Sequence, residues 1–360
     1  MNYGLPYKGS KNRIAKKILD VLPPAPVLYD VFCGGCAITH AALLSGKYSR
    51  VVANDINVMI PHAFETALAG GFRNEDRWIS RDDFQRLYKT DPYVAICFSF
   101  GNNLHQYCYA RALEPYKRAL HYAIFWKDIA PWAELCPETA DALKKAVESE
   151  QDRRKRRIGA GRAIVTALKA GLMNGTIDPA VMDKPIYRKI RKEKTPGLRI
   201  QSAESVECLK SLETLENDER LQRLESLERF ERLKNLETLQ TDESLCRLQR
   251  LESLEGITDV PPVLTVTTGD YRALNFEQGG IIYCDPPYKS TDERYGREFD
   301  FAGFYSWCEH QANPVFISEY TMPEDHFVPV AAFTVTRKMD TKKSSICHEK
   351  IWRPRCQLGI

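Results

Sequence analysis

The chain has 360 residues, of which 43% are hydrophobic and 10% aromatic, an ordinary balance for a globular protein that buries a core. A net charge of +3 is too small to argue nucleic-acid binding by itself, so that question falls to local clusters. Apolar runs such as "YVAICFSF" are too short to span a bilayer, no export signal is expected, and 11 dispersed cysteines read as reduced thiols, which together predict a cytoplasmic protein without a membrane anchor.

The first element is a helix over "SKNRIAKKILDVLP", with Ser10 as its cap, apolar residues at Ile14, Ile18 and Leu22, and a stop at Pro23. "PVLYDVF" reads as a buried strand, "AITHAALLSG" as a helix ending at Gly46, and "RVVANDIN" as a second strand. This order opens a parallel α/β sheet. From about Asn57 to Pro196 the text is mostly helical and aromatic-rich. Two basic clusters fall there, one with Arg153, Arg154, Arg156 and Arg157, the other from Tyr187 to Lys194 with Arg188 and Lys189. Each fits either phosphate contact or a solvated helix face.

From Leu209 to Ile257 an apolar residue recurs at every third position, and "DERLQRLESLERF" aligns with "DESLCRLQRLESL" 24 residues later, an internal repeat. A step of three drifts by roughly 60° per step around an α-helix. The Leu, Glu, Arg and Gln content favours helices, with a short solenoid-like stack as the alternative. The sequence does not explain the step itself. Strands resume with "PVLTVTTGDYRAL", "GGIIYCDPPYKST", "PVFISEY" and "AAFTVTRKM", and "KIWRP" closes the sheet. The expected division is a catalytic domain at 1–60 and 259–360, a helical insert at 61–195 and a leucine-repeat insert at 196–258.

Ligands of open parallel sheets bind beyond the carboxyl ends of the strands. Three such ends carry chemistry. In "DVFCGGCA", Gly34 and Gly35 allow a tight turn against a ligand. In "ANDIN", Asp55 is placed to accept both hydroxyls of a ribose. In "YCDPPY", the prolines stiffen the chain and leave the carbonyl of Pro286 free to accept. The exocyclic amine of adenine is a poor nucleophile. Asp285 and the Pro286 carbonyl, accepting its two hydrogens, localise the lone pair, and Tyr288 stacks on the base. A base inside a duplex reaches such a pocket only when flipped out.

These motifs, with "LPYKGSKNRIAKKIL" at the start, resemble the Dam-type DNA adenine methyltransferases, over roughly Leu5 to Asp55 and Val263 to Ile351. The resemblance implies an α/β fold, a Rossmann-like class I methyltransferase sheet with a largely helical inserted recognition region that here contains the leucine-rich repeat segment. It implies S-adenosylmethionine as cofactor and double-stranded DNA as partner. It places Tyr7 and Lys11 at the methionine end of the cofactor, Asp30, Phe32 and Gly34 in the glycine motif, Asp55 on the ribose, and Asp270 or Tyr271 near the cofactor adenine. Asp285, Pro286, Pro287 and Tyr288 form the catalytic motif, with Asp285 also facing the cofactor. Cys36 stands where the family carries a third small residue, and the family's GATC-reading segment has no counterpart.

Cys33 and Cys36 also make a C-x-x-C spacing, the mark of a redox pair or half a zinc site. Neither alternative accounts for Asp55 or for Asp285 to Tyr288, so both cysteines are expected to line the cofactor loop, with no metal. The repeat is expected to serve as scaffold or as a surface for a protein partner, on a monomer or weak dimer. Methylation of RNA adenine or protein glutamine, and a non-enzymatic interaction protein with a decayed core, are the alternative functions.

Overall fold

Among the described residues, seven strands form one sheet: β1 (Ala25–Asp30), β2 (Tyr48–Asp55), β3 (Val263–Thr268), β4 (Ile281–Cys284), β5 (Val315–Glu319), β6 (Phe327–Asp340) and β7 (Lys343–Pro354). Their order is β3-β2-β1-β4-β5-β7-β6. The first five strands in that order run parallel, and β7 is antiparallel to both β5 and β6. This computed structural model describes residues 2–188, 243–255, 263–287, 299–340 and 343–359. The sheet is compatible with a Rossmann-like methyltransferase fold. β4 and β5 are buried along their whole length, as expected of parallel strands covered on both faces.

The described residues fall into two units, one of 1–75, 84–106 and 247–360, the other of 76–83 and 107–246. The first holds the sheet. Its core on one face gathers Val27, Tyr29, Ile282, Phe304, Ile317, Phe327 and Trp352. The second is helical, with helices Glu114–Trp126, Ala130–Leu135, Pro137–Glu148 and Arg153–Met173 around Leu120, Trp132, Leu143, Ile164 and Leu168. Trp132 donates from its ring nitrogen to the Thr139 hydroxyl (3.0 Å), so the large ring is buried without an orphaned donor. Among the described residues no helix is long and apolar enough to cross a membrane.

Two details differ from expectation, and a third bears on the leucine repeat. The first helix begins at Ala15 and Ser10 does not cap it. Residues 10–14 are instead a turn, with Ser10 N–H on the Tyr7 carbonyl and Ile14 N–H on that of Lys11. The turn puts the Lys11 side chain in the interior, where an exposed first helical turn would not. β7 does not close the sheet at its edge but inserts between β5 and β6. Of the leucine repeat, residues 243–255 are described and 209–242, 256 and 257 lie outside the described residues. The described part is helical over Glu243–Glu252, and Leu245, Leu248 and Leu251 are all buried. Steps of three spread these leucines over roughly 120° of the helix, a wider face than an i, i+4 pair covers.

Candidate active site

The site lies in the sheet-bearing unit, where the strand order reverses between β1 and β4. β1 ends at Asp30, whose Oδ2 accepts from the Thr39 amide (3.0 Å) and hydroxyl (2.7 Å) in the first turn of helix Ala37–Ser45. Its Oδ1 is buried without a hydrogen-bond partner. Burial, only partly offset by Thr39, pushes this carboxyl up to about 7. The chain then turns through Gly34 and Gly35 over the face of Tyr7. A Cβ on Gly35 would sit 2.5 Å from that of Tyr7, and Gly34 has a φ of 45°. Only glycine allows this approach. The Leu5 amide, donating to the Gly35 carbonyl (2.7 Å), ties the N-terminal segment to the loop.

β2 ends at Asp55. Its two oxygens accept from two backbone amides, Gly34 to Oδ2 (2.9 Å) and Asn57 to Oδ1 (2.8 Å). Asp55 therefore organises the glycine loop as well as facing the strand ends. Burial raises its pKa, opposed by these amides. Asn54 braces the same region, donating to the carbonyls of Val31 and Gly269 (3.1 and 3.2 Å).

β4 delivers Asp285. Its Oδ1 accepts from Lys11 Nζ at 2.7 Å. Pro286 is buried and Pro287 half-buried, while Tyr288 lies outside the described residues. Lys11 is only 7% exposed, and its Nζ also lies 3.7 Å from Glu349 Oε1. Burial works against the ammonium, yet Asp285 and Glu349 together hold its pKa above the usual value. Glu349, on β7, is 3% exposed and accepts from the Ser318 hydroxyl (2.7 Å). Glu319, at the end of β5, is buried. Its Oε1 accepts from the Tyr320 amide (2.8 Å) and its Oε2 has no partner. Burial lifts Glu319 to about 8, with the charges of Asp285 and Glu349 adding to the shift.

Sequence reasoning singled out Lys11 and Asp285 separately and missed Ser318, Glu319 and Glu349. The available signal was weak: an acid at the carboxyl end of "VFISE" and another inside the strand "HEKIW".

The remaining predicted residues are dispersed. Phe32 joins an aromatic group with Tyr271 (5.1 Å), Phe299 and Phe304. The Asp270 carboxylate pairs with Arg272 (2.6 Å), which depresses its pKa, and caps the turn that follows β3. In the helical unit, Arg156 is 9% exposed and its guanidinium donates to the carbonyls of Ile124 and Phe125, at the end of helix Glu114–Trp126. It is a cap on that helix, occupied with backbone rather than presented to solvent. Arg157 contacts Cys246 Sγ (2.7 Å), and Arg153 lies over the Phe125 ring at 4.8 Å. Arg154 and Arg188 are placed by their backbones alone, in helices Arg153–Met173 and Pro185–Arg188, and Lys189 lies outside the described residues.

Cys33 and Cys36 are both free thiols, 3.6 Å apart at sulfur, and burial raises the pKa of each. Buried thiols of raised pKa hold little thiolate and make poor nucleophiles. Cys36 takes a φ of 56° at the entry to its helix and is fully buried, so a β-branched or large residue would be strained there.

Residues 7–80 match the model of the D12 class N6 adenine-specific DNA methyltransferase family. This span carries Tyr7, Lys11, Asp30, Phe32, Gly34 and Asp55, and the match is consistent with the Dam-type resemblance. A comparison with curated proteins finds no match.

Proposed function

We propose, from the family match over residues 7–80, that the chain transfers a methyl group from S-adenosylmethionine to the exocyclic amine of adenine in duplex DNA. The observation that carries this reading is Asp285, set at the carboxyl end of β4 beside the strand-order reversal and held there by Lys11. The residues present suit the cofactor. The glycine pair leaves no room for a Cβ, Asp30 has an unpartnered buried oxygen, and three carboxylates (Asp30, Asp55, Asp285) suit a ligand with a positive sulfonium and ammonium.

When bound, S-adenosylmethionine supplies an electrophilic methyl group. Asp55 would accept from the ribose hydroxyls, with Gly34, Phe32, Asp30, Tyr7, Lys11 and Asp270 around the rest. Asp285 and the Pro286 carbonyl accept the two amine hydrogens and localise the nitrogen lone pair. Tyr288 stacks on the flipped base. Positioning and pre-oriented acceptors provide the catalysis. For the DNA backbone we assign Arg153, Arg154, Arg157, Arg188 and Lys189 to phosphates and withdraw Arg156, whose guanidinium is engaged with backbone. The helical region between the glycine and catalytic motifs is the proposed reader, and the leucine repeat scaffold or partner surface.

The test is transfer of labelled methyl groups to duplex DNA, RNA and protein in parallel, with the modified base identified. Asp285→Ala should abolish transfer in a chain that still folds, with a lowered melting temperature because the buried Lys11 loses its nearest carboxylate. Near-normal turnover in that variant, or transfer to RNA or protein alone, would overturn the assignment.

A further inference from the structure

Asp285 and Lys11 belong to a charge network whose other members, Ser318, Glu319 and Glu349, the methyl-transfer scheme does not use. Its members come from four separate segments. Lys11 reaches in from the N-terminal turn, Asp285 from the end of β4, Ser318 and Glu319 from the end of β5, and Glu349 from β7. The ammonium of Lys11 is shared, at 2.7 Å from Asp285 and 3.7 Å from Glu349. Ser318 fixes Glu349 by donating to the same oxygen that faces Lys11. A buried carboxylate is costly unless it is paired, and Glu349 is placed between a hydroxyl and an ammonium that meet this need.

We propose that Glu349 is a positioning residue for the proposed methyl transfer: anchored by Ser318, it holds part of the Lys11 charge away from Asp285. Lys11 alone on Asp285 would form a full ion pair and weaken that carboxylate as an acceptor for the amine. With Glu349 drawing on the same ammonium, Asp285 is oriented without being neutralised. The inference rests on the function proposed above and adds a residue from β7 to it. The titratable groups near Asp285 include Lys11, Glu349, Glu319, the buried Asp30, the Tyr283 hydroxyl and the Cys284 thiol. Glu319 is a protonated neighbour at neutral pH and adds little negative charge there.

The sign of the effect is fixed by charge. Glu349→Gln removes one anion near Asp285 and gives it the whole of Lys11, so both changes favour the ionised carboxylate. Lys11→Met removes the cation and has the opposite effect. The experiment is a carboxyl-carbon NMR titration of aspartate-labelled protein, with the Asp285 signal assigned by its loss in Asp285→Asn, together with steady-state methylation kinetics. In Glu349→Gln the Asp285 midpoint should fall. kcat should drop on the order of 10- to 100-fold, with KM for DNA within about twofold. The acid limb of kcat should move to lower pH. Glu349→Asp, which keeps the charge, should bring the midpoint back toward wild type, and Lys11→Met should raise it. An unmoved midpoint in Glu349→Gln, a midpoint that falls in Lys11→Met, or wild-type kcat in Glu349→Gln would overturn the proposal. Wild-type protein that methylates no adenine while the midpoints move as stated would overturn the proposed function and leave the network standing.

Discussion

Glu319→Gln should stabilise this protein, and by more as the pH rises. Glu319 is buried, one of its oxygens has no partner, and its pKa stands at about 8 against 4.5 in the unfolded chain. The folded state therefore keeps a proton that the unfolded state releases between those values. Stability from this group is fully present below pH 4.5 and is lost as pH rises toward 8. Each pH unit inside that window costs about 1.4 kcal/mol, and the whole window approaches about 5 kcal/mol. Glutamine has the shape of the protonated acid, can keep the Tyr320 amide contact through its own oxygen, and never ionises. Urea unfolding of both proteins at pH 5.5, 6.5 and 7.5 measures the difference. Asp30 and His40 also titrate abnormally, but they do so in both proteins and drop out of the comparison. The variant's advantage should grow by about 1.4 kcal/mol per pH unit and level off above about pH 8. Parallel pH curves would mean that Glu319 is ionised in the folded protein, and the burial argument would fail.

Asp55→Asn leaves one acceptor oxygen for two backbone amides, so either Gly34 or Asn57 faces an NH2 group. Calorimetry should show S-adenosylmethionine binding weaker by about 10- to 100-fold, the equivalent of about 1–3 kcal/mol, and unchanged affinity would remove Asp55 from the cofactor site. Gly35→Ala forces a new Cβ against Tyr7 and should lower stability by about 1–3 kcal/mol along with cofactor affinity; an unshifted melting temperature would contradict that packing. Arg156→Met should cost about 2 kcal/mol of stability by uncapping two carbonyls while leaving the salt dependence of DNA binding unchanged. Arg153→Ala should do the reverse, with little effect on stability and a salt slope reduced by up to about one unit; equal behaviour of the two variants in a salt-titrated binding assay would refute this division.

The sheet was legible where the local chain dictates its own path. β1, β2, β4 and β5 are short apolar runs stopped by glycine, proline or polar residues, and each overlaps a stretch read as a strand. Gly34 and Gly35 announce a close approach because nothing else fits, although the approaching group, Tyr7, could be known only from the fold. Asp285 and Pro286 are marked by the rigidity of consecutive prolines. Glu319 and Glu349 carry no such local mark. An acid in a strand gains meaning from its neighbours, and Glu349 meets Lys11 only because β7 inserts beside β5. The start of the first helix was misjudged for a related reason, since the burial of Lys11 depends on Asp285, far away in sequence. Arg156 shows the limit of counting charge: "RRKRR" looks alike whether a guanidinium faces phosphate, solvent or the end of a neighbouring helix.

Lys11 and Asp285 are 274 residues apart, and Glu349 lies further on still. This has a consequence for how the protein is made. At roughly 5–20 residues per second, a ribosome takes on the order of tens of seconds to get from the first of these residues to the last. Until β4 is made, β1 has only β2 beside it, and its other edge stays open. The lysine that will meet Asp285 has no carboxylate to meet, and the early strands are an unfinished sheet with an open edge, a state prone to wrong pairing and suited to chaperone protection. β7 is the last of the described strands in chain order and brings Glu349 with it. A nascent chain stalled before that point would lack the strand that joins β5 to β6 and the Glu349 carboxylate near Lys11, so the charge network is complete only late in synthesis.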